Sequence, residues 1–121
     1  MLNVLFVGIG GFAGAVLRFL LGQIPVGNTS GFPLITLLIN VSGAFVIGMI
    51  ASLAAKNTSF DPRLVLLLKT GFCGGFTTFS TFSLETAELI KHGSAPVAVI
   101  YILLSVILCT AAVFVSQLIF E

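Results

Sequence analysis

The sequence predicts an all-α membrane protein with four transmembrane helices, the third of them broken near Gly74–Thr77. Three observations lead there. Of the 121 residues, 58% are hydrophobic and 7% are charged, where a soluble domain carries about 25% charge. The apolar residues fall into runs near the roughly 20 needed to cross a bilayer, with room for about four. Within the third run lies Gly71-Phe72-Cys73-Gly74-Gly75-Phe76-Thr77-Thr78-Phe79-Ser80-Thr81-Phe82. Each glycine in a helix interior costs roughly 1 kcal/mol against alanine. Backbone released from a helix in hydrocarbon must be buried in protein or line a cavity. The whole chain, 1–121, reads as one integral membrane domain.

The first span runs over about 2–21. Gly8, Gly10, Gly11 and Gly14 give it a small-residue face for close helix packing. It has no basic segment ahead of it and reads as a retained span rather than a signal peptide. Arg18 near its end reads either as a snorkelling interfacial anchor or as a cation at the mouth of an anion path. Gln23 to Phe32 is a short polar turn.

The second span covers about 33–55, with Pro33 suited to a helix start. Thr36 and Asn40 are four apart and share a face. An asparagine in mid-membrane is costly unless bonded. It serves either as interhelical glue or as a pore-lining donor.

The third span covers about 62–91. Asp61 and Pro62 form an N-cap and first-turn pair. The segment to His92 is longer than a bilayer needs, which suits two half-helices around an unwound middle at Gly74 and Gly75. Phe76, Phe79 and Phe82 at spacings of three would share one helical face. Glu85 and Glu88 follow, free to pair with Lys91 or Arg18 or to face water. The fourth span covers about 95–120. Tyr101, Ser105 and Cys109 form a weakly polar stripe along it, either a helix contact or a hydroxyl track.

Net charge is +1, which gives no pull toward nucleic acid. The basic residues divide about evenly between the two sides, so the positive-inside bias is weak. Such a chain can insert both ways up, and a dimer of oppositely oriented copies is a natural assembly. Cys73 and Cys109 read as packing residues without metal-ligand spacing. No catalytic constellation or phosphate-binding glycine loop is present.

The spans instead supply hydrogen-bond donors without a buried acid. A cation carrier usually needs an intramembrane carboxylate, whereas donors and a marginal arginine suit a small anion. Phenyl edges are the positive part of the ring quadrupole and can add to that, although ordinary packing also explains them. Carbonyls bared in an unwound segment suit an alkali cation, especially where two copies cross.

The chain resembles the bacterial fluoride channel family known as Fluc or CrcB over nearly its whole length. The resemblance rests on Gly10-Gly11 with Gly14 and Arg18, on Thr36 through Asn40 to Gly43, and above all on the string from Gly71 to Phe82. It implies a four-helix subunit in an antiparallel, dual-topology homodimer with two fluoride pores in a bacterial inner membrane. It implies pore roles for Asn40, Phe79, Phe82, Tyr101 and Ser105, with Thr36 and Ser80 nearby, and a vestibule role for Arg18. Backbone carbonyls of Gly74 and Thr77 would hold a structural sodium ion. The role of Glu85 stays open. The implied activity is passive fluoride export, which confers fluoride resistance. A small multidrug transporter shares the length and span count, but it needs a carboxylate in the first span. A non-transporting assembly subunit would not explain the hydroxyl-rich stretch.

Overall fold

The computed structural model describes residues 1–26 and 31–121. The expected polar turn over 23–32 therefore lies partly outside the described residues. The described residues form helices α1 (Leu2–Gly22), α2 (Leu34–Lys56), α3 (Pro62–Val65), α4 (Gly74–Phe76), α5 (Phe79–Lys91) and α6 (Ala95–Phe120), with a π-helical segment at Leu66–Cys73. Four segments are long and apolar enough to cross a membrane: Leu2–Gly22, Leu34–Lys56, Pro62–Lys91 and Ala95–Phe120.

Local chemistry sets several boundaries. The Asp61 carboxylate accepts the Arg63 amide at 2.9 Å, with Pro62 in the first turn of α3. Thr78 caps α5 by accepting the Thr81 amide at 3.1 Å. His92 caps the end of α5, and Gly93 follows with φ of +80°, a conformation that favours glycine.

α1 packs chiefly on the π-helical segment and α4, while α2 packs on α6. Glycines set the closeness of the first pairing. A Cβ on Gly10 would run into the Leu67 carbonyl, and one on Gly14 into the Phe72 carbonyl. The reciprocal contact is Gly75 against the backbone of Gly11. This is small-residue packing of the membrane kind, where backbones meet because no side chain intervenes.

Two expectations need correction here. Gly74 is helical, with φ of −64° and ψ of −37°, so the glycines are not where helical backbone stops. Thr77 and Thr78 are extended, with ψ of 155° and 114°. The glycines admit α1, and the backbone turns just after them. That turn also separates the phenylalanines. Phe76 is 7% exposed and Phe79 is 79% exposed. Phe76 instead stacks on Phe72, centroids 5.8 Å apart, so it does not share a face with Phe79 and Phe82.

The buried interior is small: Leu37, Ile39, Cys73, Phe76, Ala98 and Tyr101 are its apolar members. Much of the outer surface is large and apolar, including Phe12, Phe19, Leu103 and Phe114. Contiguous apolar surface on this scale belongs against lipid or another chain.

Candidate functional site

The site forms where α4 gives way to α5. Thr78 N would reach back to the Gly74 carbonyl in a continued α-helix. It donates instead to Asn40 Oδ1 at 2.7 Å, while Asn40 Nδ2 donates to Thr78 O at 3.1 Å. Thr81 N, which would reach the Thr77 carbonyl, turns to Thr78 Oγ1. Other carbonyls of the turn are satisfied. Cys73 O accepts from Thr77 N at 3.0 Å and from Thr77 Oγ1 at 2.8 Å. Gly75 O accepts from Arg18 Nε at 3.1 Å. The carbonyls of Gly74, which is exposed, and Thr77, which is half-buried, thus lose the donors a continued helix would give them, Thr78 N and Thr81 N.

Among the described residues no group of three or more His, Cys, Asp or Glu can hold a metal. A cation here would rely on backbone oxygens, which suit hard ions. The Gly74 and Thr77 carbonyls fit that chemistry.

Beside the turn lies a groove of about 410 Å³, lined by Asn40, Thr77, Phe79, Phe82, Ser105 and Cys109 among others. Among the described residues no carboxylate and no cation contributes to its lining. Asn40 comes from α2, the phenylalanines from α5, and Ser105 and Cys109 from successive turns of α6. Phe79 and Phe82 lie 5.5 Å apart between centroids, tilted by 46°. Phe82 continues to Tyr101 at 5.1 Å. Ser105 is buried, and its Oγ has no hydrogen-bond partner. A buried hydroxyl left unpaired costs about 1–3 kcal/mol, and here it sits on the wall of the groove.

The remaining expected residues sit elsewhere. Thr36 and Tyr101 do not line the groove; both serve Glu85. Thr36 Oγ1 donates to Glu85 Oε2 at 3.1 Å, and Tyr101 OH donates to Glu85 Oε1 at 3.2 Å. Each carboxylate oxygen thus takes one donor, and these donors are neither Lys91 nor Arg18, the partners that stood beside water as alternatives for Glu85. Glu85 also lines a second cavity of about 520 Å³ with Glu88, His92 and Ser94. Ser80 is exposed and touches Thr78 Oγ1 at 3.3 Å. Arg18 is part-buried and spends its Nε on the Gly75 carbonyl.

Sequence reasoning missed Thr78 as the partner of Asn40 and Glu85 as the partner of two donors. The Thr78-x-x-Thr81 spacing carried a capping signal that would have placed the start of α5. Nothing local marked Glu85, whose partners are 49 and 16 residues away.

Comparison with known proteins adds the family. A family model described as CrcB-like protein, Camphor Resistance (CrcB) matches residues 5–117. A protein of Ruminiclostridium cellulolyticum named fluoride-specific ion channel FluC is 44% identical over 98% of this chain and 92% of its own length. Relatives of the same name from Chlorobaculum tepidum and Rhizobium etli are 49% and 47% identical. They align over 84% and 94% of this chain and over 81% and 92% of their own lengths. These relatives are named as ion channels, not as enzymes. With four apolar helices of spanning length, the chain is a multi-pass membrane protein, and it belongs to the CrcB-like family.

Proposed function

We propose that this chain is a fluoride-selective channel that lets cytoplasmic fluoride leave passively down its electrochemical gradient. The carrying observation is the groove lined by Asn40, Phe79, Phe82 and Ser105 with no acid in its wall. An anion there meets an amide, a hydroxyl and phenyl edges rather than a repelling carboxylate. Asn40 Nδ2 gives one hydrogen to Thr78 O, and its second hydrogen is the donor for fluoride. Ser105 Oγ offers a second hydrogen bond further along. The names of the relatives point the same way.

The working unit is an antiparallel, dual-topology homodimer with two pores in the bacterial inner membrane. Two features support it: a weak positive-inside bias, and a Phe79 ring left 79% exposed beside the groove. A second copy would cover that ring and close each groove into a pore. The Gly74 and Thr77 carbonyls would hold a structural sodium ion, whose charge would offset the partial negative charge of their oxygens. On this reading Thr77 and Thr78 form a break that divides the third span. Thr36, Tyr101 and Glu85 flank the path, Ser80 supports the Thr78 cap, and Arg18 fixes the vestibule end through Gly75.

The test is fluoride efflux from liposomes holding the purified protein, with a potassium gradient and valinomycin to set the voltage. Fast fluoride release with little chloride release is the expected result. Folded, dimeric protein that releases no fluoride would overturn the reading and redirect work to drug-transport assays.

A further inference from the structure

The groove is lined by two free thiols that fluoride conduction does not use, Cys73 and Cys109. Cys109 is a free, part-buried thiol on α6, one turn beyond Ser105, and both line the groove. Ser105 supplies an independent sign that something enters this stretch: its Oγ is buried, unpartnered and on the same wall. Cys73, the other free cysteine, sits in the same lining but is only 1% exposed. The two thiols therefore differ in access while sharing one compartment.

We propose that Cys109 is a modification site inside the permeation groove for a small, uncharged, soft electrophile, and that its occupation closes the path. The proposal rests on the channel reading given above. A small uncharged reagent suits Cys109 because Ala44, Ile47 and Val106 share the lining, so the reagent can pack there without the donors that hold an anion. Methylmercury chloride fits in size and softness, since thiolate is a soft ligand. In the reaction the Cys109 sulfur forms a bond to mercury, the mercury–chloride bond breaks, and the thiol proton and chloride leave. No oxidant or reductant takes part. The bound group then projects between α6 and the Asn40 and Phe82 walls, where the anion would pass.

The experiment uses the full chain in liposomes, with methylmercury chloride added to the parent protein and to the Cys109→Ser and Cys73→Ser variants. Intact mass and fluoride efflux are read from the same samples. The expected result is one adduct on the parent and on Cys73→Ser, with efflux falling to the level of empty vesicles. Cys109→Ser gains no adduct, and its efflux, whatever its starting level, is unchanged by the reagent. An adduct that persists in Cys109→Ser, or a labelled parent that conducts as before, overturns the proposal. A parent that conducts no fluoride before labelling defeats the channel reading instead. In that case the adduct masses alone judge the site, and modification of Cys73 rather than Cys109 overturns it.

Discussion

Asn40 grips the backbone of Thr78 from both sides, accepting its N–H at 2.7 Å and donating to its carbonyl at 3.1 Å. One side chain on α2 thereby stands in for the helical bond that the Thr78 amide gives up. The same amide faces the groove, so a single residue both holds the turn and lines the path. Asn40→Ala should leave the Thr78 amide unpaired at a cost of about 1–3 kcal/mol. Asn40→Asp should keep the acceptor for Thr78 N but set a carboxylate oxygen against Thr78 O and into the groove. We expect a lower thermal midpoint for Asn40→Ala and loss of fluoride efflux for Asn40→Asp. An aspartate variant that conducts like the parent would end the pore-donor role of Asn40.

Gly43, one turn after Asn40, fixes the residue on the other side of that turn. A Cβ there would strike the Thr77 methyl and approach Phe76 Cδ1 at 3.1 Å. Gly43→Ala should therefore push Thr77 out of place, costing about 1–3 kcal/mol as overpacking does. Thr77→Ser removes the obstructing methyl but keeps the hydroxyl that bonds Cys73 O at 2.8 Å. The double variant should recover stability and efflux relative to Gly43→Ala alone. If it recovers neither, the contact between Gly43 and Thr77 does not govern the turn.

The packing of α1 on the third span can be checked in the same way. Gly14→Ala would drive a methyl into the Phe72 carbonyl. That obstacle is backbone, so no side chain can move aside, and the helices must separate. Gly8 makes an internal control, because nothing lies within 4 Å of a Cβ built on it. Thermal unfolding in detergent should show a marked loss for Gly14→Ala and little change for Gly8→Ala. Equal effects would mean that the glycines act through helix propensity, worth at most about 1 kcal/mol each, and not through contact.

These contacts also show what a linear sequence can carry. The four spans were legible because hydropathy is additive along the chain, and the start of α3 because Asp61 caps it locally. The glycine-rich stretch was legible as unusual, but its geometry was not. The residues alone suggest a break at Gly74 and Gly75, and only the apposition of Gly71 and Gly75 to α1 shows that these glycines form a packing face. The π-helical course of Leu66–Cys73 has no signature in its residues for the same reason. Phe76 and Phe79 part company because two extended threonines intervene, which a rule of constant helical spacing cannot anticipate. Of the candidate site, Asn40, Phe79, Phe82 and Ser105 do come to one groove, whereas Thr36 and Tyr101 are claimed by an acid far away in sequence.

That acid supports the last prediction. Glu85 receives Thr36 on one oxygen and Tyr101 on the other, and hydrogen bonds to charged groups contribute about 1.5–3 kcal/mol each. Tyr101→Phe removes only the hydroxyl and leaves the ring beside Phe82 and Phe32, at 5.1 and 5.5 Å. Its cost therefore reports the bond to Glu85 and not the aromatic packing. In a Glu85→Gln background the amide is neutral and the bond weaker, so the same Tyr101→Phe change should cost less. Thermal unfolding of the four proteins in this cycle should give a coupling within the roughly 0.5–3 kcal/mol expected for residues in direct contact. Strictly additive effects would show that Tyr101 stabilises the fold through its ring alone. A coupling in stability, together with slower fluoride efflux in Tyr101→Phe, would mean that the hydroxyl holds Glu85 in a position the path requires. Without that bond Glu85 would be held by Thr36 alone, with the second cavity beside Glu88 and His92 to move into.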